Sequence, residues 1–442
     1  QTEIVQVDAG NLTFLVNNQD HRFTPGNPLS PYSPGWRTGM RIRLRETLGY
    51  QTFTHFDGNM LQPDMTINTP DLDQTVTVSA TDRLGRLGTG RTFISTLAEH
   101  ILYNGGTSLK GYFPLIETGS SPVFRNKVVG IPSLQLSRND STLSSQATTP
   151  PVVARGQGTN PPGDDVRGLL FTPSTVPFGN INAMAQSYWL VSQTALGQAP
   201  GSAARPLLHA GDTLTFICWV NLDSTYQDVQ TIFTAQITDV ATGSDVTQVM
   251  LTRNSLINTD PHPGLWVGQL FNFSTGLTGI TVGDVAGSSR AIPVGIQFGY
   301  APNVLNMWID DREITATPTG SLVDPEYLTV GKTVGSIGGS VSHVQLYVGT
   351  FTHAQFLAQR DVGMTGMTGQ YTGDRIRTVA RYAGVADGDM DVDPGVSRMQ
   401  QVSLAGKSPL AVMQEAATTE QGLLHARGRR LLFHDRTRRY NR

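Results

Sequence analysis

Cysteine is almost missing from this chain of 442 residues: the single one, Cys218, lies inside the apolar run 214–222. No intramolecular disulfide and no cysteine-based zinc site can therefore be built, and Cys218 reads as a small buried hydrophobe. Glutamate is nearly missing from the middle of the chain, where only Glu313 and Glu326 fall between Glu117 and Glu415. Paired carboxylates, the requirement of most glycoside hydrolysis, are correspondingly scarce. The nine His residues do not cluster at metal spacing, and no His-Glu-x-x-His, Gly-x-Ser-x-Gly or P-loop phrase occurs. No run of about 18 apolar residues is present, so nothing reads as a membrane-spanning helix. Charge is thin, at 15% of residues with a net charge of -3. That excludes a surface that coats nucleic acid or an anionic membrane as a whole.

What is present is turn chemistry. Gly (47) and Pro (25) are plentiful, the balance of a turn-rich β protein, and the length implies two or three domains. Leu12, Phe14 and Val16 alternate with polar neighbours, as do Val76 and Val78; this is the period of half-buried strands. Ile42 and Leu44 alternate with Arg41, Arg43 and Arg45, which predicts one apolar face and one solvated cationic face. From Asp212 onward short apolar runs recur at intervals of about 10 to 20 residues, a rhythm that suits a two-sheet sandwich or jelly roll. Among them Leu305, Met307 and Ile309 share a face before Asp310-Asp311 interrupt the run and Ile314 resumes it: a strand, a turn and a strand. Residues 141–165 are rich in Ser, Thr, Pro and Gly and predict a long surface loop with little core.

Helical spacing takes over in two places. Phe93, Ile94, Leu97, Ile101 and Leu102 predict a helix over 92–103, stopped by Asn104-Gly105-Gly106. Beyond Gly349, Thr352 is a cap for a helix carrying Ala354, Phe356 and Leu357, and Ile376, Val379, Ala380 and Ala383 share the face of another. A third has Ser408 as N-cap and Pro409 at its first position, with Leu410, Met413 and Ala417 inward and Gly422 at its end. A hairpin over 423–435 follows.

Three phrases near the start, residues 12–45, 56–60 and 76–88, resemble in that order the opening domain of minor tail proteins at the tail tip of siphophages, especially those of actinobacteria. Residues 372–395 and 409–436 resemble the second half of the same tail-hub module, whose relatives run on into more strands. Between them GYFPLIETGS (111–120), LTFICWVNL (214–222), LNMWIDDREI (305–314) and VSHVQLYVGTFTHAQF (341–356) resemble a laminin-G-like, concanavalin A-like domain. The implied fold is mainly β: an antiparallel jelly-roll or concanavalin-like β-sandwich inserted into a split α+β tail-hub domain. Residues 1–110 would supply the β-rich part and a stalk helix, 111–350 the sandwich, and 351–442 the helical and hairpin part. The implied function is that of a structural baseplate-hub protein in the tail tip of the virion. It would be a homotrimer with the distal tail and tape-measure proteins as partners, and its sandwich would attach to a host-surface glycan. Two alternatives stand beside it: a sandwich that binds only other tail proteins, and a cell-wall glycan-degrading enzyme.

No catalytic residues are assigned, because the Glu-x-Asp-x-x-Glu phrase of concanavalin-fold glycosidases is absent. Asp310-Asp311 reads as turn chemistry. Trp266, after a polar loop holding Asn258 and Asp260, is the candidate glycan platform; its other reading is inter-sheet core. Trp219 and Trp308 read as core. Laminin-G-like domains can hold calcium, for which Asp239, Asp245, Asp260 and Asp284 are the candidates, although no loop has EF-hand spacing; no other cofactor is implied. The basic run Arg427, Arg429, Arg430, Arg436, Arg438, Arg439 and Arg442 reads as a solvated hairpin or subunit contact, or as a surface touched by DNA in transit.

Overall fold

A computed structural model describes residues 7–69, 73–128, 131, 133–138, 152–172, 188–192, 212–222, 229–238, 246–254, 265–272, 276–282, 290–299, 304–317, 327–330 and 338–440. The described residues contain six α-helices: α1 (Arg83–Thr89), α2 (Thr96–Asn104), α3 (His353–Thr365), α4 (Thr372–Tyr382), α5 (Pro409–Glu420) and α6 (Arg436–Tyr440). The chain divides into two compact units, one made of Gln1–Ile94 with Met367–Arg442 and the other of Ser95–Gly366. Both α2 and α3 therefore belong to the middle unit, whereas the sequence placed them on the side of the flanking module.

In the split unit, the strands Asn11–Asn17, Asp73–Thr81, Gln51–Met60 and Arg41–Leu48 lie in that spatial order, and Asp64–Thr69 pairs with Asp73–Thr81. All these pairings are antiparallel. The alternation of Leu12, Phe14 and Val16 is realised, since these three are half-buried between exposed neighbours. Leu44 departs from its expected inward position and is 47% exposed. Only Asn59 and Met60 of the returning strand pair with Asp73–Thr81, and the part of the hairpin beyond that pairing, residues 43–54, is exposed.

The sequence did not predict α1, which contains the weak helix formers Gly85 and Gly88. Two devices hold it. The Asp82 carboxylate caps Gly85 N at 3.0 Å and also accepts from Gly10 N at 2.8 Å, and a Cβ at Gly85 would lie 1.8 Å from Thr81 Oγ1. The third predicted helix forms as α5 with Ser408 capping Ala411 N and Pro409 at its start, but Gln421 rather than Gly422 takes the left-handed C-cap, at φ 57°. Beside it the fully buried Glu420 accepts from Thr372 Oγ1 (2.8 Å), Val396 N (3.1 Å) and Ser397 N (2.8 Å). A three-stranded sheet of Met390–Val392, Arg430–His434 and Leu423–Arg427 completes the unit.

The middle unit is an antiparallel β-sandwich of jelly-roll type. One sheet runs in the order Arg312–Ala316, Leu305–Ile309, Ile292–Gly299, Thr213–Leu222, Gly339–Val348, Leu169–Thr172, Val152–Arg155, with Leu109–Phe113 also on Gly339–Val348. The facing sheet runs Gly276–Val282, Leu265–Asn272, Val246–Asn254, Val229–Thr238, Tyr327–Val330, Tyr188–Ser192, Leu134–Arg138, Val123–Phe124. Leu214, Phe216, Cys218 and Val220 enter the inter-sheet core with Val294, Ile296, Phe298, Leu305 and Met307. The alternate residues Ile217 and Trp219 are equally buried but point to the opposite face, where Trp219 meets Gly363 of α3. A strand covered on both faces explains why 214–222 is apolar without alternation.

Candidate functional site

The face of the first sheet under α2 and α3 is where the unit concentrates its buried polar groups. In Gly339–Val348 the pairing with Thr213–Leu222 slips between Ile217 and Trp219, and His343 takes a positive φ of 48°. Such a bulge re-aims a side chain. Val341, Val344 and Leu346 still enter the core, while His343 turns outward and receives two partners. Its Nδ1 lies 2.8 Å from Tyr112 Oη and its Nε2 lies 3.0 Å from Asp164 Oδ2. Tyr112 and His343 are 0% exposed and Asp164 is 1% exposed. With the Tyr112 hydroxyl donating to Nδ1 and Nε2–H donating to the carboxylate, each of the three side chains finds a partner in the relay.

Asp164 does more than orient the ring. Its Oδ1 accepts from Leu97 N at 3.0 Å, in the first turn of α2, a position where a carboxylate also meets the positive end of the helix. The neighbouring Gly163 N donates to Gly363 O of α3 at 2.7 Å. One short segment thus ties the first helix of the unit to its last. Burial alone would raise the Asp164 pKa; the hydrogen bonds from His343, Leu97 N and Ser95 outweigh it and hold the carboxyl below its ordinary range. Burial pushes the Tyr112 phenol well above its ordinary value, aided by the Asp164 and Glu99 charges. Sealed from solvent, this relay has no face on which a substrate can sit, and its chemistry is that of a structural clasp. It also corrects the surface-loop expectation over 152–165, where Val152–Arg155 forms a sheet strand and Asp164 is buried; residues 141–151 lie outside the described residues.

The other tryptophan read as core sits on the same outer layer. Trp308 is 1% exposed, with its ring 5.4 Å from Phe356 and 5.9 Å from Phe351, and its Nε1 donates to Glu313 at 2.9 Å. Asp310 is a turn residue as expected, at φ 56°, and is also 4% exposed, accepting from Arg360 Nε at 2.6 Å. The turn therefore anchors α3 to the sheet.

Trp266, the candidate sugar platform, is placed in the inter-sheet core at 2% exposure. The strand Leu265–Asn272 turns its ring inward with Leu270, so the indole offers no face to a glycan. Its companions Asn258 and Asp260 lie outside the described residues, as do the calcium candidates Asp239, Asp245, Asp260 and Asp284. Among the described residues no group of three or more His, Cys, Asp or Glu is placed to hold a metal. A solvent-open concavity among the described residues of the sandwich unit lies elsewhere. Thr107, Ser108, Lys110, Asp212, Val348, Gly349 and Thr350 line a cavity of about 540 Å³. Gly349 N donates to Thr213 O at 2.9 Å and Thr213 Oγ1 donates to Gly349 O at 2.7 Å, which fixes one wall. Hydroxyls, an ammonium and a carboxylate on a shallow wall suit a polyhydroxylated ligand held by hydrogen bonds. Sequence spacing could not reveal it, because its residues come from three distant strand ends.

No protein-family model and no curated protein matches the chain. Among solved structures it is similar to the binding domain of botulinum neurotoxin serotype D, at 8% identity and a TM-score of 0.34 over 60% of this chain and 53% of that one. It is similar to the carbohydrate-binding module of the Ruminococcus gnavus intramolecular trans-sialidase bound to α2,3-sialyllactose, at 13% identity and a TM-score of 0.28 over 38% of this chain and 92% of the module. Trypanosoma rangeli sialidase is similar at 11% identity and a TM-score of 0.34, over 73% of this chain and 48% of the enzyme. The chain thus spans about half the length of the toxin domain and of the sialidase.

Proposed function

We propose that the chain is a structural and adhesive protein of a siphophage tail tip, whose sandwich unit attaches to a glycan of the host surface without cleaving it. The observation that carries this reading is the nested chain path. The two groups of phrases that resemble a tail-hub module fall in Gln1–Ile94 and Met367–Arg442, which make one compact unit, with the sandwich as the intervening segment. The split unit would assemble with tail proteins, as a homotrimer on the family resemblance. The polar cavity at Lys110 and Asp212 would hold the sugar. Weak single sites would suffice, because several copies on one rigid particle bind at high effective concentration.

The full chain incubated with actinobacterial cells and purified wall glycans tests the reading. Saturable binding without product release is expected. New reducing ends would overturn the non-enzymatic assignment, and the absence of glycan binding together with capture of purified tail proteins would favour a purely structural sandwich. Lys110→Ala with Asp212→Asn should abolish binding while the thermal transition stays in place. Immunogold labelling of virions should mark the tail tip; label elsewhere would refute the location.

A further inference from the structure

Within the split unit the described residues form a second concavity with a different chemistry. Arg41, Arg83, Arg86 and Arg429 line a cavity of about 230 Å³ together with Asp57, Asn59, Gly39, Gly58 and Gly428. The arginines come from a strand edge, from α1 and from the turn of the C-terminal hairpin, so neither the cationic strand nor the basic run signalled the cluster by itself. Their charge is unevenly matched. Arg41 grips Asp57 with two nitrogens, through Nε at 2.7 Å and also through Nη2. Arg83 donates to Asp389 at 2.6 Å and, through Nε, to the Arg429 carbonyl at 3.0 Å. Among the described residues Arg86 has a single side-chain acceptor, the neutral Asn59 Oδ1 at 3.1 Å. Arg429 has one long ion pair at 3.6 Å to Asp389, which Arg83 already engages. Set against the carboxylates of Asp57 and Asp389, the guanidinium groups leave two positive charges on the wall of one cavity.

We propose that this cavity is a binding site for a doubly charged oxyanion of the phosphate class, either free or as a monoester on a larger molecule. The charge balance carries the inference: a dianion closes the excess left by Arg86 and Arg429. Guanidinium forks match the oxygens of a phosphate in pairs. The glycines contribute walls without side chains; a Cβ at Gly39 would meet nothing within 4 Å. The space exceeds a bare phosphate and accommodates the first group attached to it. Isolated exposed arginines such as Arg45 lack all of these features.

The test is titration calorimetry on the full chain at constant ionic strength, with inorganic phosphate, glucose 6-phosphate and chloride as separate arms. Saturable binding of phosphate but not of chloride is expected. Equal affinity for the two phosphates identifies the phosphate group as the whole ligand, and tighter binding of the sugar phosphate identifies an ester. Arg86→Gln and Arg429→Gln should each weaken binding about tenfold, while Arg45→Gln leaves it unchanged. Arg429 is exposed, so its variant reports even if Arg86→Gln disturbs α1. No saturable binding in either phosphate arm, or binding untouched by both pocket substitutions, would overturn the proposal.

Discussion

Truncating Asp164 to alanine should be among the most damaging single changes in the sandwich unit. The carboxylate is 1% exposed, and its loss strands three donors at once: Leu97 N at 3.0 Å, His343 Nε2 at 3.0 Å and Val166 N at 3.4 Å. Leaving a buried donor without its acceptor costs about 1–3 kcal/mol per group, so a loss of several kcal/mol is expected, and a unit of this size then melts on the order of 10 °C lower. Asp164→Asn retains an acceptor for Leu97 N but faces the imidazole with an amide, so it should fall between wild type and alanine. Tyr112→Phe leaves only Nδ1 without its partner and should cost about 1–2 kcal/mol. Combined with Asp164→Ala it should cost less than the sum, because the two groups share one chain. Urea unfolding followed by tryptophan fluorescence suits the measurement, since Trp189, Trp219, Trp266 and Trp308 lie in the sandwich unit and only Trp36 outside it. A loss of less than about 0.5 kcal/mol for Asp164→Ala, the size expected of a surface change, would refute the clasp.

The same carboxyl makes stability depend on acid. Its folded pKa lies below the unfolded value, so its contribution is complete above the unfolded pKa and is lost as pH falls through the folded one; the midpoint of wild type should drop on acidification more than that of Asp164→Asn. Gly363→Ala opposes helix propensity to packing. Alanine gains about 1 kcal/mol in a helix interior, but its Cβ would lie 2.2 Å from the Trp219 ring, so a net loss of about 1–3 kcal/mol is expected by urea denaturation. Trp266→Ala should cost about 3–5 kcal/mol, and a variant that kept its full thermal transition would contradict the core placement. Glu420→Gln should be mild, because an amide oxygen can serve the donors on Oε2, whereas Glu420→Ala should unfold the split unit earlier by about 2–4 kcal/mol on a thermal melt.

Much of the fold was legible because strand and helix periods differ. The hairpin at Asp310, the cap at Ser408 and the strand rhythm of the sandwich each follow from local chemistry. The hidden parts have physical reasons. Helix α1 has glycines where close approach to Thr81 demands them, so propensity points away from it. The burial of Trp266 turned on which side of its strand faced the opposing sheet, a matter of register that an isolated polar loop cannot fix. The clasp joins Tyr112, Asp164 and His343 across distant parts of the chain, and a bulge aims the histidine; no spacing rule encodes that meeting. The arginine cavity likewise combines residues from both chain ends.

The tie made by Gly163 and Asp164 has one more consequence. With the sandwich folded, the start of α2 and the end of α3 are held to the same short segment, so the split unit has its two halves joined by a closed neck. With the sandwich unfolded, the same halves are linked by an open loop of everything from Ser95 to Gly366, and closing a loop of that length costs on the order of 5 kcal/mol. In a chain that can form no internal disulfide, the folded insert itself serves as the cross-link.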